Sequence, residues 1–138
     1  MPRDSAIAGI NRTRSPAWGE QVRDLTNGQG AHLMIDVGGA ETLTHAADAL
    51  HMGGHVAVVG YVSGPEIRLD LRPLFIGRRA RVHGHTVGSR KQFEAMNRAI
   101  EAHGLNPVID SRFGLEDLAS AYVRVRSGEA FGKVLVTL

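Results

Sequence analysis

Residues 32–61 are the part of the sequence that most restricts the fold. Two apolar runs, 33–37 and 56–59, show little alternation of apolar with polar residues, and each is followed by glycine. Such continuous runs are typical of strands in a parallel sheet that is covered on both faces. Between the two runs, apolar residues recur at the spacing of one helix face: Leu43, Ala46, Ala47 and Leu50. The segment therefore predicts a strand, a helix that Gly53-Gly54 closes, and a second strand, joined by a right-handed crossover.

The rest of the chain predicts further strands and helices. Weaker apolar runs indicate strands over 6–10, 80–87, 108–113 and 133–138. Ser15-Pro16 predicts the start of a helix, with serine as N-cap and proline at the first position, and Asn27-Gly28 predicts its end. The pattern as a whole favours an α/β fold built on one parallel sheet.

Three later segments carry helix signals. Asp70 predicts the N-cap of a short helical segment. Ser89 and Gln92 have the spacing of a capping box and predict a helix that ends near Gly104. Residues 115–126 predict a last helix, with acidic residues in its first turn and arginines in its last, as the helix dipole favours.

Composition restricts the class of protein. A chain of 138 residues that is 43% hydrophobic and 22% charged is expected to form one globular domain, 1–138. Net charge is only +2 and aromatic residues are sparse, which argues against nucleic acid as a partner; the local basic cluster 78–81 is expected to lie on a solvated loop or strand edge. Neither a membrane-spanning run nor a signal peptide is seen, and cysteine is absent, so we expect a cytoplasmic protein without a membrane partner.

Candidate binding residues follow the predicted strands. In open α/β sheets, ligands bind outside the carboxyl ends of the strands. Three glycine-containing stretches occupy such positions: Val37-Gly38-Gly39, Gly60-Tyr61-Val62 and Val87-Gly88-Ser89. Glycine lets a backbone approach a flat ligand closely, although at any single position it can equally serve to end a strand and start a turn.

Other candidate sites are weaker. Arg90, Lys91 and Lys133 could meet an anion, or could simply be exposed basic side chains. His83 and His85 would share one face of a strand, but no cysteine or carboxylate is spaced to complete a metal site, so no metal ligand is assigned. The serine in 60–64 lies one place too late for a nucleophile elbow, and no catalytic residue is assigned.

Several motifs in order resemble one enzyme superfamily. They are IDVGG at 35–39, GGHVAVVGYVSG at 53–64, VHGHTVGSRKQFEAMNRAIEAHGLNPVID at 82–110 and FGKVLVTL at 131–138. Over roughly residues 9–138 this order is similar to the C-terminal part of the medium-chain dehydrogenase/reductases, the zinc-type alcohol dehydrogenase and quinone reductase group. The resemblance implies a partial Rossmann-like parallel sheet flanked by helices, which lacks the first strands and the N-terminal catalytic domain.

The resemblance also implies roles for individual residues. Backbone that would line the nicotinamide and its ribose lies around Val37, Gly38, Gly39, Gly60, Tyr61, Val62, His85, Thr86, Val87 and Gly88. Lys133 stands where a basic residue can approach the pyrophosphate, and Asp36 is expected to be structural. The implied cofactor is NAD or NADP, and no zinc is expected in this chain.

The sequence also departs from that superfamily. It contains no G-x-G-x-x-G, so the pyrophosphate-binding turn and the residue that selects NAD or NADP are missing. In the doubly wound strand order, the strand at 33–37 would then lie at an open, apolar edge. We expect residues 5–11, a second copy in a dimer, or a separate chain with the missing half to cover it.

Two functions are compatible with these features. One is an oxidoreductase fragment that supplies the nicotinamide half of the cofactor site and takes part in hydride transfer with a small alcohol or carbonyl compound once the missing parts are present. The other is a non-catalytic relative that acts as a dimeric or partner-binding module. Cofactor affinity distinguishes them.

Overall fold

The chain divides into two compact units, Met1–Val87 and Gly88–Leu138. The structure is a computed structural model that describes residue 6 and residues 8–138. The strand predicted over 6–10, and the proposed cover 5–11, fall partly outside the described residues, and residues 8–10 do not belong to a strand. The expectation of a single domain stays a prediction.

The first unit contains a three-stranded parallel sheet. Its elements are α1 (Trp18–Leu25), β1 (Ala31–Asp36), α2 (Ala40–Leu43), α3 (Ala46–Ala49), β2 (Leu50–Val58), a π-helical segment (Arg72–Gly77) and β3 (Arg81–Gly84). The strand order is β1-β2-β3, with Met34 opposite Val56 and Val56 opposite Val82. The carboxyl ends of all three strands therefore lie at one edge of the sheet.

An apolar core lies on one face of this sheet. Its buried members are Leu43, Ala46, Leu50, Val56 and Leu74. Alternation along β1 places Met34 against this core and points Leu33 and Ile35 to the opposite face, where they are 54% and 66% exposed. The prediction that this strand is covered on both faces is therefore wrong for the described residues.

Gly53-Gly54 does not close a helix. The helical region is two short helices, α2 and α3, and β2 begins at Leu50 directly after α3. Both glycines lie inside β2, where Ala31 pairs with Leu50 but Leu33 pairs with His55. The pair belongs to this irregular stretch of β2, where Gly53 has a φ of 74°.

The first helix also begins later than the sequence predicts. Ser15-Pro16 is not its N-terminus, because α1 starts at Trp18 with Ala17 as an N-cap that provides no side-chain hydrogen bond. The preceding turn is organised by Asn11, whose side-chain oxygen accepts hydrogen bonds from the N–H groups of Thr13 and Arg14 at 3.0 and 3.2 Å. Asn27 and Gly28 follow the end of the helix, as predicted, and both lie in the left-handed region.

The second unit contains α4 (Arg90–Ala102), β4 (Ile109–Gly114), a 3₁₀ turn (Leu115–Asp117), α5 (Leu118–Arg126) and β5 (Lys133–Thr137). Strands β4 and β5 pair in parallel. The predicted capping box is confirmed: the Ser89 hydroxyl accepts from the Gln92 N–H, and the Gln92 side chain accepts from the Ser89 N–H.

The fold class is thus confirmed as α/β, with parallel sheets and flanking helices. Asp70 lies one residue before Leu71, the N-cap of the π-helical segment, and its carboxylate accepts a hydrogen bond from the Arg72 N–H at 2.9 Å. Within the described residues, no helix has the length and apolar character needed to cross a bilayer.

Candidate functional site

The turn after β1 is shaped by a buried carboxylate. Asp36 is only 3% exposed and accepts hydrogen bonds from the Gly39 N–H, at 2.8 Å, and from the Thr42 hydroxyl. Both donors belong to the turn and the helix that directly follow the strand. Asp36 therefore has the structural role that the sequence predicts, and it fixes the path of residues 37–39.

The turn after β2 lies directly against the first one. A Cβ atom at Gly60 would come within 2.7 Å of the Val37 carbonyl oxygen, and one at Gly39 would come within 2.7 Å of the Tyr61 Cα. Gly39 also has a φ of 87°, which favours glycine. The two glycines are therefore required by close packing of the two turns, so their role here goes beyond ending strands.

The chain beyond β3 ends at the same edge. The strand predicted over 80–87 is shorter than expected, because β3 stops at Gly84. The His85 N–H still donates to the Val58 carbonyl at 2.8 Å, which places His85, Thr86 and Val87 immediately past the carboxyl ends of the strands. All nine predicted cofactor-binding residues of the first unit thus lie at this edge of the sheet.

Several of these residues present apolar side chains to solvent. Val37 is 61% exposed, Tyr61 71%, Val62 90% and Val87 96%. Val37 and Val62 line one cleft together, so apolar side chains are accessible at this edge of the sheet.

Gly88 and Lys133, the two remaining predicted residues, belong to the second unit. Gly88 precedes the capping box of α4, and a Cβ there would lie 3.2 Å from the Gln92 side chain. Lys133 begins β5, where its N–H donates to the Val108 carbonyl at 2.8 Å and its side chain is exposed.

Polar residues that suggested other chemistry are also placed. Arg90 forms an ion pair with Glu94 one helical turn later, at 2.8 Å, so an exposed surface pair accounts for its position. The rings of His83 and His85 lie 4.9 Å apart on β3 and the residues after it. Among the residues that the structure describes, no group of three or more His, Cys, Asp or Glu is arranged to hold a metal ion.

Two clefts flank β1 in the first unit. One, of about 510 Å³, is lined by Trp18, Ile35, Val37 and Val62 among others. The other, of about 470 Å³, is lined by Leu33, Ile35, His55 and His85 among others. Ile35 lines both clefts, so β1 is accessible from either side.

Sequence reasoning missed two hydroxyl residues that organise this edge, Thr42 and Ser63. Ser63 was considered only as a nucleophile, whereas its hydroxyl donates to the Gly38 carbonyl at 2.7 Å. Thr42 lies six residues after its partner Asp36, across a turn whose course the sequence does not specify. Hydroxyl residues beside predicted glycine turns were the available signal.

Comparison with known proteins places the chain in a family. The sequence profile described as zinc-binding dehydrogenase matches residues 8–136. A zinc-type alcohol dehydrogenase-like protein of Schizosaccharomyces pombe is 32% identical over 132 residues, which is 94% of this chain and 38% of that protein.

Solved structures agree. A protein of the alcohol dehydrogenase type from Sinorhizobium meliloti 1021 superposes with a TM-score of 0.83 at 31% identity, over 94% of this chain and 37% of that one. An NAD-dependent alcohol dehydrogenase gives a TM-score of 0.78 at 29% identity, over 91% of this chain and 36% of that one.

The resemblance deduced from the ordered motifs is therefore confirmed, and so is the partial Rossmann-like arrangement. The chain spans less than two fifths of the length of these relatives. The chain belongs to the zinc-binding dehydrogenase family.

Proposed function

We propose that this chain supplies the nicotinamide half of an NAD(H) or NADP(H) site in an oxidoreductase. The observation that carries the proposal is the closely packed pair of glycine turns, 37–39 and 60–62, at the carboxyl edge of a parallel sheet. This is the place where open α/β sheets bind nucleotides. A similar solved structure is an NAD-dependent alcohol dehydrogenase, which supports the same class of cofactor here.

The residues present fit one part of such a cofactor. The exposed side chains of Val37, Val62 and Val87 offer apolar contact to one face of a ring, and the peptide groups of the turns can hydrogen-bond to a carboxamide or ribose. We assign Tyr61, His85 and Thr86 to the same lining. The roles of Gly88 in the lining and of Lys133 at the pyrophosphate stay predictions from the family resemblance. When bound, the cofactor would carry a hydride to or from a small alcohol or carbonyl compound. We assign no catalytic role to any residue of this chain.

The open strand β1 points to a partner. It is an edge strand of the described sheet, and its apolar residues Leu33 and Ile35 are more than half exposed. Exposed apolar edges pair readily with other strands. We propose that β1 is completed either by a segment that carries the first Rossmann strands or by a second copy of the chain, in the cytoplasm.

The alternative is a non-catalytic module with the same fold. The exposed side chains of β1 favour it as well, because an open apolar edge serves association whether or not cofactor binds.

Calorimetric titration with NADH and NADPH, beside light scattering for mass, tests the proposal. We expect a dissociation constant near the micromolar range, about −8 kcal/mol, and a mass above that of one chain. The better-bound cofactor would identify the preference between NADH and NADPH.

Two results would contradict parts of the proposal. Heat of binding that stays absent at millimolar cofactor would favour the non-catalytic module. A monodisperse monomer would refute the pairing of β1 with a second copy of the chain. Val87→Ser tests the lining itself: it removes an exposed apolar side chain without creating a buried cavity, so it should weaken cofactor binding and leave stability unchanged.

A further inference from the structure

Helix α2 begins without a capping side chain of its own. Its N-cap is Gly39, which has φ 87° and ψ −124° and provides no side-chain hydrogen bond. A side chain at this position would collide with the Tyr61 Cα and the Gly64 carbonyl oxygen, at 2.7 and 2.9 Å. The N–H groups of the first turn therefore need acceptors from elsewhere in the chain.

Ser63, which lies 24 residues further along, provides the missing acceptor. Its hydroxyl oxygen accepts a hydrogen bond from the Glu41 N–H at 3.0 Å. The same hydroxyl donates to the Gly38 carbonyl at 2.7 Å, and the Ser63 N–H donates to that carbonyl at 2.8 Å. A single serine thus makes three hydrogen bonds, two to the turn after β1 and one to the first turn of α2.

These bonds join the two turns that carry the proposed cofactor contacts. The Ala40 N–H also donates to the Gly64 carbonyl, at 3.4 Å, so the residues beside Ser63 add a further link. Tyr61 and Val62 immediately precede Ser63, and their position relative to Gly38 and Gly39 depends on these links. Removal of the Ser63 hydroxyl would therefore take away two of the hydrogen bonds that hold the turns in this arrangement.

We propose that Ser63 is a positioning residue of the cofactor site, which caps α2 from a distant turn and holds the two glycine turns in the arrangement that receives the nicotinamide. The inference rests on the proposed function for its ligand. Ser63 touches no reacting atom in this scheme; it acts through the backbone of residues 37–41 and 60–62.

The test compares Ser63→Ala with Ser63→Thr, which keeps a hydroxyl. Ser127→Ala is a matched control in the second unit, because the Ser127 hydroxyl likewise donates to a carbonyl, that of Arg124 at 2.8 Å, and accepts from an N–H, that of Glu129 at 3.2 Å. Amide hydrogen exchange at Glu41 and calorimetric titration with NADH are measured for each variant, beside thermal unfolding.

We expect Ser63→Ala to speed amide exchange at Glu41 on the order of tenfold, as loss of a helix cap does. We expect it to raise the dissociation constant for NADH about fivefold, the effect of one hydrogen bond. Ser63→Thr should restore both quantities towards the parent values, and Ser127→Ala should leave both unchanged.

The outcomes separate the two proposals. NADH binding by Ser63→Ala equal to that of the parent chain overturns the positioning role, as does an equal loss in Ser127→Ala. If the parent chain binds no NADH, the proposed function fails. Exchange at Glu41, which needs no cofactor, still decides whether Ser63 holds the turns together, and unchanged exchange in Ser63→Ala overturns that as well.

Discussion

Different interactions stabilise each of the two units of the molecule. The first unit has an apolar core, in which Leu50 and Val56 are completely buried. In the second unit, Gly88–Leu138, all of which the structure describes, Ala121 is the only buried apolar side chain. Its best-connected residue is instead Asp110, whose carboxylate accepts hydrogen bonds from the Arg124 guanidinium at 2.8 and 2.9 Å and from the Phe131 N–H at 2.9 Å.

This difference predicts how each unit responds to change. Burial of apolar area is non-directional and insensitive to pH, so the first unit should respond to the volume of its side chains. A charged hydrogen-bonded pair depends on geometry and on ionisation, so the second unit should respond to pH. The candidate site follows β1 and β2 and therefore lies in the unit that burial of apolar side chains stabilises.

The largest effect is expected from Leu50→Ala. Leu50 is 0% exposed, and its truncation leaves a cavity in the core of the first unit, so we expect the free energy of unfolding to fall by about 2–5 kcal/mol. Urea denaturation followed by the fluorescence of Trp18, the only tryptophan of the chain, reports on this unit.

The matched control is Leu118→Ala in the second unit. Leu118 is 40% exposed, so the same truncation should lower stability by only about 1 kcal/mol, measured by circular dichroism. Equal losses in the two variants would break the contrast between the units.

The next largest effect is expected from Gly39→Ala, which tests the packing of the two turns. The substitution introduces backbone strain of about 1–3 kcal/mol and a Cβ that would lie 2.7 Å from the Tyr61 Cα. Because Tyr61 Cα is backbone, it cannot move aside cheaply. We expect a total loss of about 2–4 kcal/mol and loss of NADH binding in the same titration as above.

Gly28→Ala separates the clash from the strain. Gly28 also has a positive φ, 79°, but a Cβ there would meet no atom within 4 Å. It should therefore lower stability by only about 1 kcal/mol. If both glycine variants behaved alike, the close approach of the turns would contribute nothing.

Local hydrogen-bond signals were the features that the sequence predicted best. The Ser89–Gln92 capping box forms as expected because all its atoms lie within one turn of chain. The β1 strand was predicted from its apolar run, and the carboxyl-edge positions of residues 37–39 and 60–62 followed from the parallel pattern. These predictions depend on short stretches of sequence and on a general rule of sheet topology.

Predictions failed where distant parts of the chain decide the structure. Gly53-Gly54 has the composition of a helix end, but the pairing of β2 with β1 places it inside a strand. The Ser15 N-cap failed for a local reason, because the Asn11 side chain organises the turn just before it and α1 starts only at Trp18. The role of Ser63 as a cap follows only from the structure, in which α2 has no capping side chain of its own.

A smaller effect, which changes with pH only in the acidic range, is expected in the second unit. Hydrogen bonds from Arg124, from the Phe131 N–H and from Ser111 hold the pKa of the Asp110 carboxyl well below its ordinary value. A carboxyl with a lowered folded-state pKa stabilises the fold fully above its unfolded-state pKa, near 4, and loses that contribution as pH falls towards the folded-state value.

Asp110→Asn therefore should lower the stability of the second unit at neutral pH, and its deficit against the parent chain should shrink below about pH 4. Unfolding measured by circular dichroism between pH 2 and 7 checks this. Leu50→Ala supplies the comparison, since its deficit should stay constant over the same range if its core is insensitive to pH. A pH-independent deficit in Asp110→Asn would remove the electrostatic explanation of the second unit.

The smallest effect is expected at an exposed ion pair of the first unit, Arg12–Glu41. The two groups lie 3.0 Å apart, and those of the Asp110–Arg124 pair lie 2.8 Å apart, so the distances are similar. The exposure differs: the side chains of Arg12 and Glu41 are 56% and 64% exposed, whereas those of Arg124 and Asp110 are 34% and 9% exposed. Solvent screens exposed pairs, and ordering two long side chains opposes the attraction, so Glu41→Gln should change stability by about 0–1 kcal/mol. Gln keeps the backbone N–H that donates to Ser63, so the variant leaves that link in place.

Urea denaturation at low and at 1 M salt checks the result, because any small difference should vanish at high salt. A large, salt-resistant loss would mean that polar contacts support the first unit as strongly as the second, and that distance and not burial decides the value of an ion pair in this protein.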